Sequence, residues 1–121
     1  VFYPQDDTPV CTTQLVSYSA GLDQFAELGA QVLGISPQDV DTHEGFASRE
    51  GIGFPLLSDG GKEVGRAYGV VGPLGYYKRS VFVLDGDGIV RYAHRSAHGL
   101  TYRRTDELVD AVQAAAAPST R

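Results

Sequence analysis

The segment from Ser80 to Ala93 constrains the fold more than any other part of the chain. Ser80-Val81-Phe82-Val83-Leu84 and Ile89-Val90-Arg91-Tyr92-Ala93 are aliphatic and aromatic runs joined by Asp85-Gly86-Asp87-Gly88. Two such runs around a short acidic, glycine-rich turn predict an antiparallel hairpin. Upstream, Gln31-Val32-Leu33-Gly34-Ile35-Ser36 is almost wholly apolar or small, the pattern of a strand buried on both faces, closed by Pro37. Val1-Phe2-Tyr3 also favours a strand, and Pro4 ends it by removing a ladder donor. Phe54-Pro55-Leu56-Leu57 reads as a further short strand.

Helical signals fall between these runs. Thr8 stands as N-cap and Pro9 fits the first helical positions, which places Cys11 in the first turn of a helix. Leu15, Leu22, Phe25, Ala26 and Leu28 continue its apolar face, with a bend expected around Ser19-Ala20-Gly21 and a stop at Gly29. Gln38 to Arg49 has helical character with Val40 and Phe46 expected inward, and Lys62 to Tyr68 is a helical turn or two ended by Gly69. Thr105 to Ala116 is an Ala-rich C-terminal helix capped by Thr105 and frayed at Pro118. The order β, α, β, α, short β, α, hairpin, α predicts an α/β fold, a central mixed sheet with helices on its faces, in a thioredoxin-like architecture.

With 121 residues, of which 42% are hydrophobic, the chain can form one domain that buries roughly two thirds of its unfolded surface. A single domain over residues 1–121 is therefore expected. Because Val1 opens in the middle of a strand, that domain is expected to lack an N-terminal segment. The 15 acidic against 10 basic side chains give no electrostatic footprint for nucleic acid or an anionic membrane. No apolar run approaches the roughly 18 to 20 residues that span a bilayer. One cysteine cannot staple the fold to itself, and a lone cysteine without a secretory leader reads as an intracellular thiol, so a cytoplasmic location is expected.

That cysteine is the centre of the functional reading. A helix N-terminus and a neighbouring cation favour a thiolate over a thiol, and Cys11 has the first by its placement. The plain alternative is a small buried hydrophobe. The run Pro4-x-x-x-Thr8-x-x-Cys11 tips the balance, because it resembles the active-site signature of the peroxiredoxins. Val32-Leu33-Gly34-Ile35-Ser36, Phe54-Pro55-Leu56-Leu57-Ser58-Asp59, Glu63-Val64 to Ala67-Tyr68-Gly69-Val70, and Arg79 to Asp85 with Gly88-Ile89-Val90 resemble successive blocks of that family in the same order. Phe2-Tyr3-Pro4 with Asp7-Thr8-Pro9 looks most like the peroxiredoxin Q or bacterioferritin-comigratory-protein branch, while Thr8-Pro9-Val10-Cys11-Thr12-Thr13 also looks like the one-cysteine branch.

The resemblance implies a thiol-dependent peroxidase reducing hydrogen peroxide and organic hydroperoxides. Cys11 would attack the peroxide, Thr8 would hydrogen-bond it, and Arg79 would favour the thiolate and stabilise charge on the departing oxygen. Pro4 would shield the site, and the backbone amides of Val10 and Cys11 would complete the donor set. Without the resemblance, Arg79 would read as a solvated charge entering a strand, although period-two alternation puts it with Val81 and Val83 on one face. Gln14 stands where related sequences often carry Glu. Its plain reading is helix solvation, against a part in orienting Arg79.

Branch members of the peroxiredoxin Q type commonly carry a resolving cysteine five residues after the first, and here that position is Val16. The resemblance therefore implies a one-cysteine cycle. Sulfenic acid at Cys11 would be reduced by an external thiol: thioredoxin, glutaredoxin or a low-molecular-weight thiol. A homodimer is a further expectation, raised by apolar sheet surface that an absent N-terminal segment would leave uncovered.

No cofactor is expected, and His43, His94 and His98 show no metal-ligand spacing. The rival function is a thioredoxin-fold redox sensor or binding module without efficient turnover. A dithiol oxidoreductase needs the Cys-x-x-Cys pair that the chain lacks, and a cysteine hydrolase needs a histidine base that the sequence does not place beside Cys11.

Overall fold

In the computed structural model, residues 1–6, 8–96 and 102–116 are described. The elements run α1 Pro9–Ala20, α2 Leu22–Glu27, β1 Gly34–Ser36, α3 Val40–Glu50, β2 Leu56–Ser58, α4 Glu63–Ala67, β3 Ser80–Leu84, β4 Val90–Arg95 and α5 Thr105–Ala116. The expected order is observed from the first helix onward, while the strand expected over Val1-Phe2-Tyr3 is reduced to an isolated bridge at Phe2. Pro118, expected to mark the fraying of α5, lies outside the described residues.

The strands form one mixed sheet through Phe2. β1 pairs in parallel with β2 from Gly34 opposite Leu56 to Ser36 opposite Ser58, and β3 pairs antiparallel with β4 from Ser80 opposite Arg95. Phe2 bridges the two pairs, parallel to Ile35 and antiparallel to Ser80. Its amide donates to the Ser80 carbonyl at 2.8 Å and its carbonyl accepts from Ser80 at 2.9 Å. On the other side, Tyr3 donates to the Ile35 carbonyl at 3.1 Å. The spatial order is β2, β1, the Phe2 segment, β3, β4.

Successive side chains of an extended segment point to opposite faces, and Phe2 and Tyr3 accordingly enter different cores. Tyr3 joins Cys11, Leu15, Tyr18, Phe25, Phe46, Ile52, Phe54, Val81 and Leu108. Phe2 joins Val70 and Tyr77, with Tyr68 and Phe82 rings at centroid distances of 5.2 and 5.7 Å. Aromatic pairs in tilted or edge-on geometry add to the burial term at such distances.

The bend expected near Gly21 is a full break between α1 and α2. A side chain there has no room, since a Cβ on Gly21 would lie 2.5 Å from Thr105 Cγ2 at the start of α5. Thr105 is the first helical residue of α5 rather than its cap, and its hydroxyl lies 3.3 Å from the Ser17 carbonyl and 3.3 Å from the Ser17 hydroxyl. The α1–α5 seam is thus closed by small and hydroxylic residues.

Two further expectations fail locally. The strand read over Gln31 to Ser36 is ordered as a strand only from Gly34, and Leu33 is exposed. Pairing with β2 begins where Gly34 donates to the Pro55 carbonyl at 2.9 Å, and just before it the Leu33 carbonyl accepts instead from the Val1 amino group at 2.8 Å. Val40, expected inward, is exposed at the first position of α3, and His43 takes the inward place beside Phe46.

Candidate active site

Cys11 is held by the first turn of α1. Thr8 is the N-cap in extended conformation at φ −89°, ψ 149°, and Pro9 follows at the first helical position, where its fixed φ suits a helix and its missing N–H costs nothing. Thr12 donates the first amide of the ladder to the Thr8 carbonyl at 2.9 Å. The amides of Val10 and Cys11 therefore precede the ladder, on the electropositive end of the helix.

The thiol is fully buried. Cys11, Gln14, Leu15 and Tyr18 are the buried residues of α1, spaced three, four and seven residues from the first, so they share one helix face. Across from that face stands Arg79, the residue before β3, itself buried. Its Nη1 donates to Cys11 Sγ at 3.1 Å and to Gln14 Oε1 at 2.6 Å. A buried guanidinium is tolerable only with hydrogen-bonding partners. These contacts place a positive charge and a donor hydrogen against the sulfur.

The two plain readings are therefore corrected. Arg79 is no solvated edge charge, and Gln14 does not solvate the helix, because it is wholly buried and bonded to Arg79. Gln14 was obscured in the sequence because a polar residue interrupts the apolar periodicity of α1. Its position three after Cys11 and one before the apolar Leu15 is the signal that points to it.

Thr8 occupies the cap position, but its side chain makes no capping bond. Its hydroxyl donates to the Gln5 carbonyl at 2.9 Å. That leaves the oxygen lone pairs to accept from an incoming O–H. Pro4 and Val10 are both half-buried. The Pro4 carbonyl meets Gln38 Nε2 at 3.5 Å, and Asp7 lies outside the described residues.

The loop carrying Pro4 and Thr8 is anchored by a network absent from the sequence reading. The Tyr3 hydroxyl donates to Asp6 Oδ1 at 2.6 Å, Asp6 Oδ2 lies 2.7 Å from His43 Nδ1, and His43 Nε2 lies 3.1 Å from the Leu57 carbonyl. Burial first, and then the Asp6 carboxyl, push the Tyr3 phenol up, so it remains a donor. Asp6 is also held from the far side, its amide donating to Gln38 Oε1 at 3.0 Å. Both ring nitrogens of His43 are engaged, so His43 is not a base for Cys11. His94 Nδ1 lies 3.3 Å from Arg103 Nη2, and His98 lies outside the described residues. A cavity of about 520 Å³ opens elsewhere, walled by side chains such as Phe25, Leu28, Val32, Val83 and Val112, with Cys11, Thr8 and Arg79 outside it.

A protein-family model, that of the AhpC/TSA family, matches residues 1–93. The chain belongs to this family, the peroxiredoxins. It is 39% identical over 101 residues to peroxiredoxin Bcp of Xanthomonas campestris pv. campestris, an alignment covering 78% of this chain and 63% of that protein. It is 38% identical over 97 residues to the chloroplastic peroxiredoxin Q of Arabidopsis thaliana, covering 78% of this chain and 45% of that one. The chain thus spans less than two thirds of the length of these curated relatives. A solved structure of the Xanthomonas campestris bacterioferritin comigratory protein, studied for its alkyl peroxide reduction activity, superposes with a TM-score of 0.86 at 34% identity, covering 96% of this chain and 77% of that one. The thioredoxin-like fold and the resemblance to the peroxiredoxin Q branch both hold for this peroxiredoxin chain. Its single cysteine fits the one-cysteine type.

Proposed function

We propose that this chain is a thiol-dependent peroxidase that reduces hydrogen peroxide and organic hydroperoxides through a sulfenic acid at Cys11. The observation that carries the reading is the 3.1 Å contact from Arg79 Nη1 to Cys11 Sγ at the N-terminus of α1. In the reaction, the Cys11 thiolate attacks the terminal peroxide oxygen. A sulfur–oxygen bond forms as the oxygen–oxygen bond breaks, and the bond pair leaves on the second oxygen, which takes a proton to become water or an alcohol. Negative charge spreads along the S–O–O line in the transition state, so the Arg79 guanidinium and the amides of Val10 and Cys11 stabilise it more than the ground state. Thr8 accepts from the peroxide O–H, while Pro4 and Val10 shape the entrance and restrict water.

Closing the cycle takes two external thiols. The first condenses with the sulfenic acid, releasing water and leaving a mixed disulfide on Cys11. The second displaces Cys11 as the thiol and carries away the disulfide. Thioredoxin, glutaredoxin and low-molecular-weight thiols all fit this chemistry. A homodimer joined through two Cys11 sulfurs fits less well, because both thiols are buried and would have to approach within disulfide distance.

A reducing compartment such as the cytoplasm suits the cycle, while the Arabidopsis relative is named chloroplastic. Among the described residues, no helix is long and apolar enough to cross a membrane.

The test is a titration of the reduced chain with hydrogen peroxide, read by free thiol and intact mass. Loss of one thiol per chain at one equivalent, with a gain of one oxygen, is the expected result. Loss at the slow rate of free cysteine would overturn the assignment.

A further inference from the structure

The buried face of α1 continues beyond Gln14 to a residue outside the reacting group. Gln14 Nε2 donates to the Tyr18 hydroxyl oxygen at 3.3 Å, and the Tyr18 hydroxyl donates to the Arg103 carbonyl at 2.5 Å. Together with the Arg79 contacts, this makes one hydrogen-bonded row from the Cys11 sulfur to the segment just ahead of α5. Tyr102 seals its far end, with its ring edge-on to Tyr18 at a centroid distance of 6.1 Å.

The row has a polarity that only one arrangement satisfies. A guanidinium has donors and no acceptor, so Gln14 must turn its carbonyl toward Arg79. A glutamine, unlike a carboxylate, can flip and present its NH₂ group instead. The Tyr18 hydroxyl can either donate or accept, and by itself would tolerate both flips. The Arg103 carbonyl decides, because it can only accept and so takes the Tyr18 proton. The Tyr18 oxygen then has only lone pairs to offer Gln14, which selects the NH₂ end and directs the carbonyl to Arg79. Burial pushes the Tyr18 phenol up to about 12, so the proton stays on it at neutral pH.

We propose that Tyr18 is a positioning residue for the thiol chemistry: with its proton held by the Arg103 carbonyl, it fixes the Gln14 amide so that Arg79 stays aimed at Cys11. The inference rests on the peroxidase reading for its chemical consequence, but not for its geometry. With glutamate at position 14 the device is unnecessary, since both carboxylate oxygens accept from Arg79 in either orientation.

The test is a double-mutant cycle on the full chain, reading the rate constant of Cys11 with hydrogen peroxide. Tyr18→Phe is expected to lower it about fivefold with Gln at position 14, the loss that accompanies one hydrogen bond. In the Gln14→Glu background, the same change is expected to cost less than about twofold. Thr105→Val, which loosens the same α1–α5 seam without touching Gln14, should leave the rate unchanged. An equal loss in both backgrounds, or an equal loss from Thr105→Val, would overturn the proposal in favour of packing alone.

If Tyr18→Phe does not fold, NMR of the unmodified chain decides. An exchange-protected Gln14 side-chain amide in contact with the Tyr18 ring is expected, and a freely exchanging amide refutes the relay. Peroxide reactivity no greater than that of free cysteine in the unmodified chain would sink the peroxidase reading alone, since the NMR signature is scored independently.

Discussion

Arg79 and Gln14 are joined by a 2.6 Å hydrogen bond in which the guanidinium donates to the amide carbonyl, and the same Nη1 atom reaches Cys11 Sγ at 3.1 Å. One nitrogen thus serves both the sulfur and the group that aims it. Gln14 brings no charge of its own, so it orients the cation without neutralising it. The positive charge remains available to the sulfur and to the oxygen that would depart from it.

Replacing Arg79 with methionine should therefore damage the chemistry more than the fold. Methionine keeps much of the buried volume and removes the donor and the charge. The rate constant for sulfenic acid formation is expected to fall by about a hundredfold, the scale seen when one donor is removed from a charge-stabilising site. Stopped-flow measurement with hydrogen peroxide checks it. A fall of less than about threefold would show that Arg79 does not act on the reacting line.

The Tyr3–Asp6–His43 network should act on stability. Asp6→Ala removes the acceptor that the Tyr3 hydroxyl and His43 Nδ1 share and leaves them only each other at 3.4 Å, and a buried donor deprived of its acceptor costs about 1 to 3 kcal/mol. Urea unfolding should show a lower midpoint at an unchanged slope. An unchanged midpoint would mean that the loop from Pro4 to Thr8 is held by other contacts.

Local pattern made some of this legible and distance hid the rest. The hairpin of β3 and β4 was readable because its partners are neighbours in sequence and its turn chemistry is local. α1 was readable from Thr8 and Pro9 for the same reason. His43 was not, since its partners Asp6 and Leu57 lie 37 and 14 residues away, and the apolar side chain of Val40 was the better local candidate for the inward place. The pairing of Cys11 with Arg79 spans 68 residues and was reached only through the resemblance to the peroxiredoxins. Gln14 was weighed beside Arg79 on that same ground, but its polarity suggested solvent, and only the fold shows it buried.

Asp59 offers a test of acid stability. Burial pushes its carboxyl up, but hydrogen bonds outweigh this and hold it below the ordinary range: from the Tyr77 hydroxyl, from the Gly65 and Val64 amides at 2.9 and 3.2 Å, and from the Glu63 amide. A carboxyl depressed on folding stabilises the fold above its unfolded value of about 3.9, and that contribution is lost as the pH falls through the lower folded value. Asp59→Asn should therefore melt below the unmodified chain at neutral pH, with the gap narrowing below about pH 4. Thermal melts of both proteins across that range check it, and a gap independent of pH would refute it.

Val16→Cys tests whether α1 must unwind for a second thiol on the same helix to resolve Cys11. Five residues along a helix separate the two positions by about 7.5 Å of axial rise alone, beyond the usual Cα separation of a disulfide at roughly 4.4 to 6.8 Å. Cys11 is 0% exposed and Val16 is 37% exposed, so their side chains also leave the helix on different faces. A bond between them requires the first turns of α1 to open, which would carry Cys11 out of the core and away from Arg79. Addition of peroxide to Val16→Cys should then remove both thiols, leave a mass two hydrogens lower, and reduce the helical circular dichroism. If the sulfenic acid instead persists beside a free thiol at position 16, α1 stays wound through the oxidation and position 16 does not resolve Cys11.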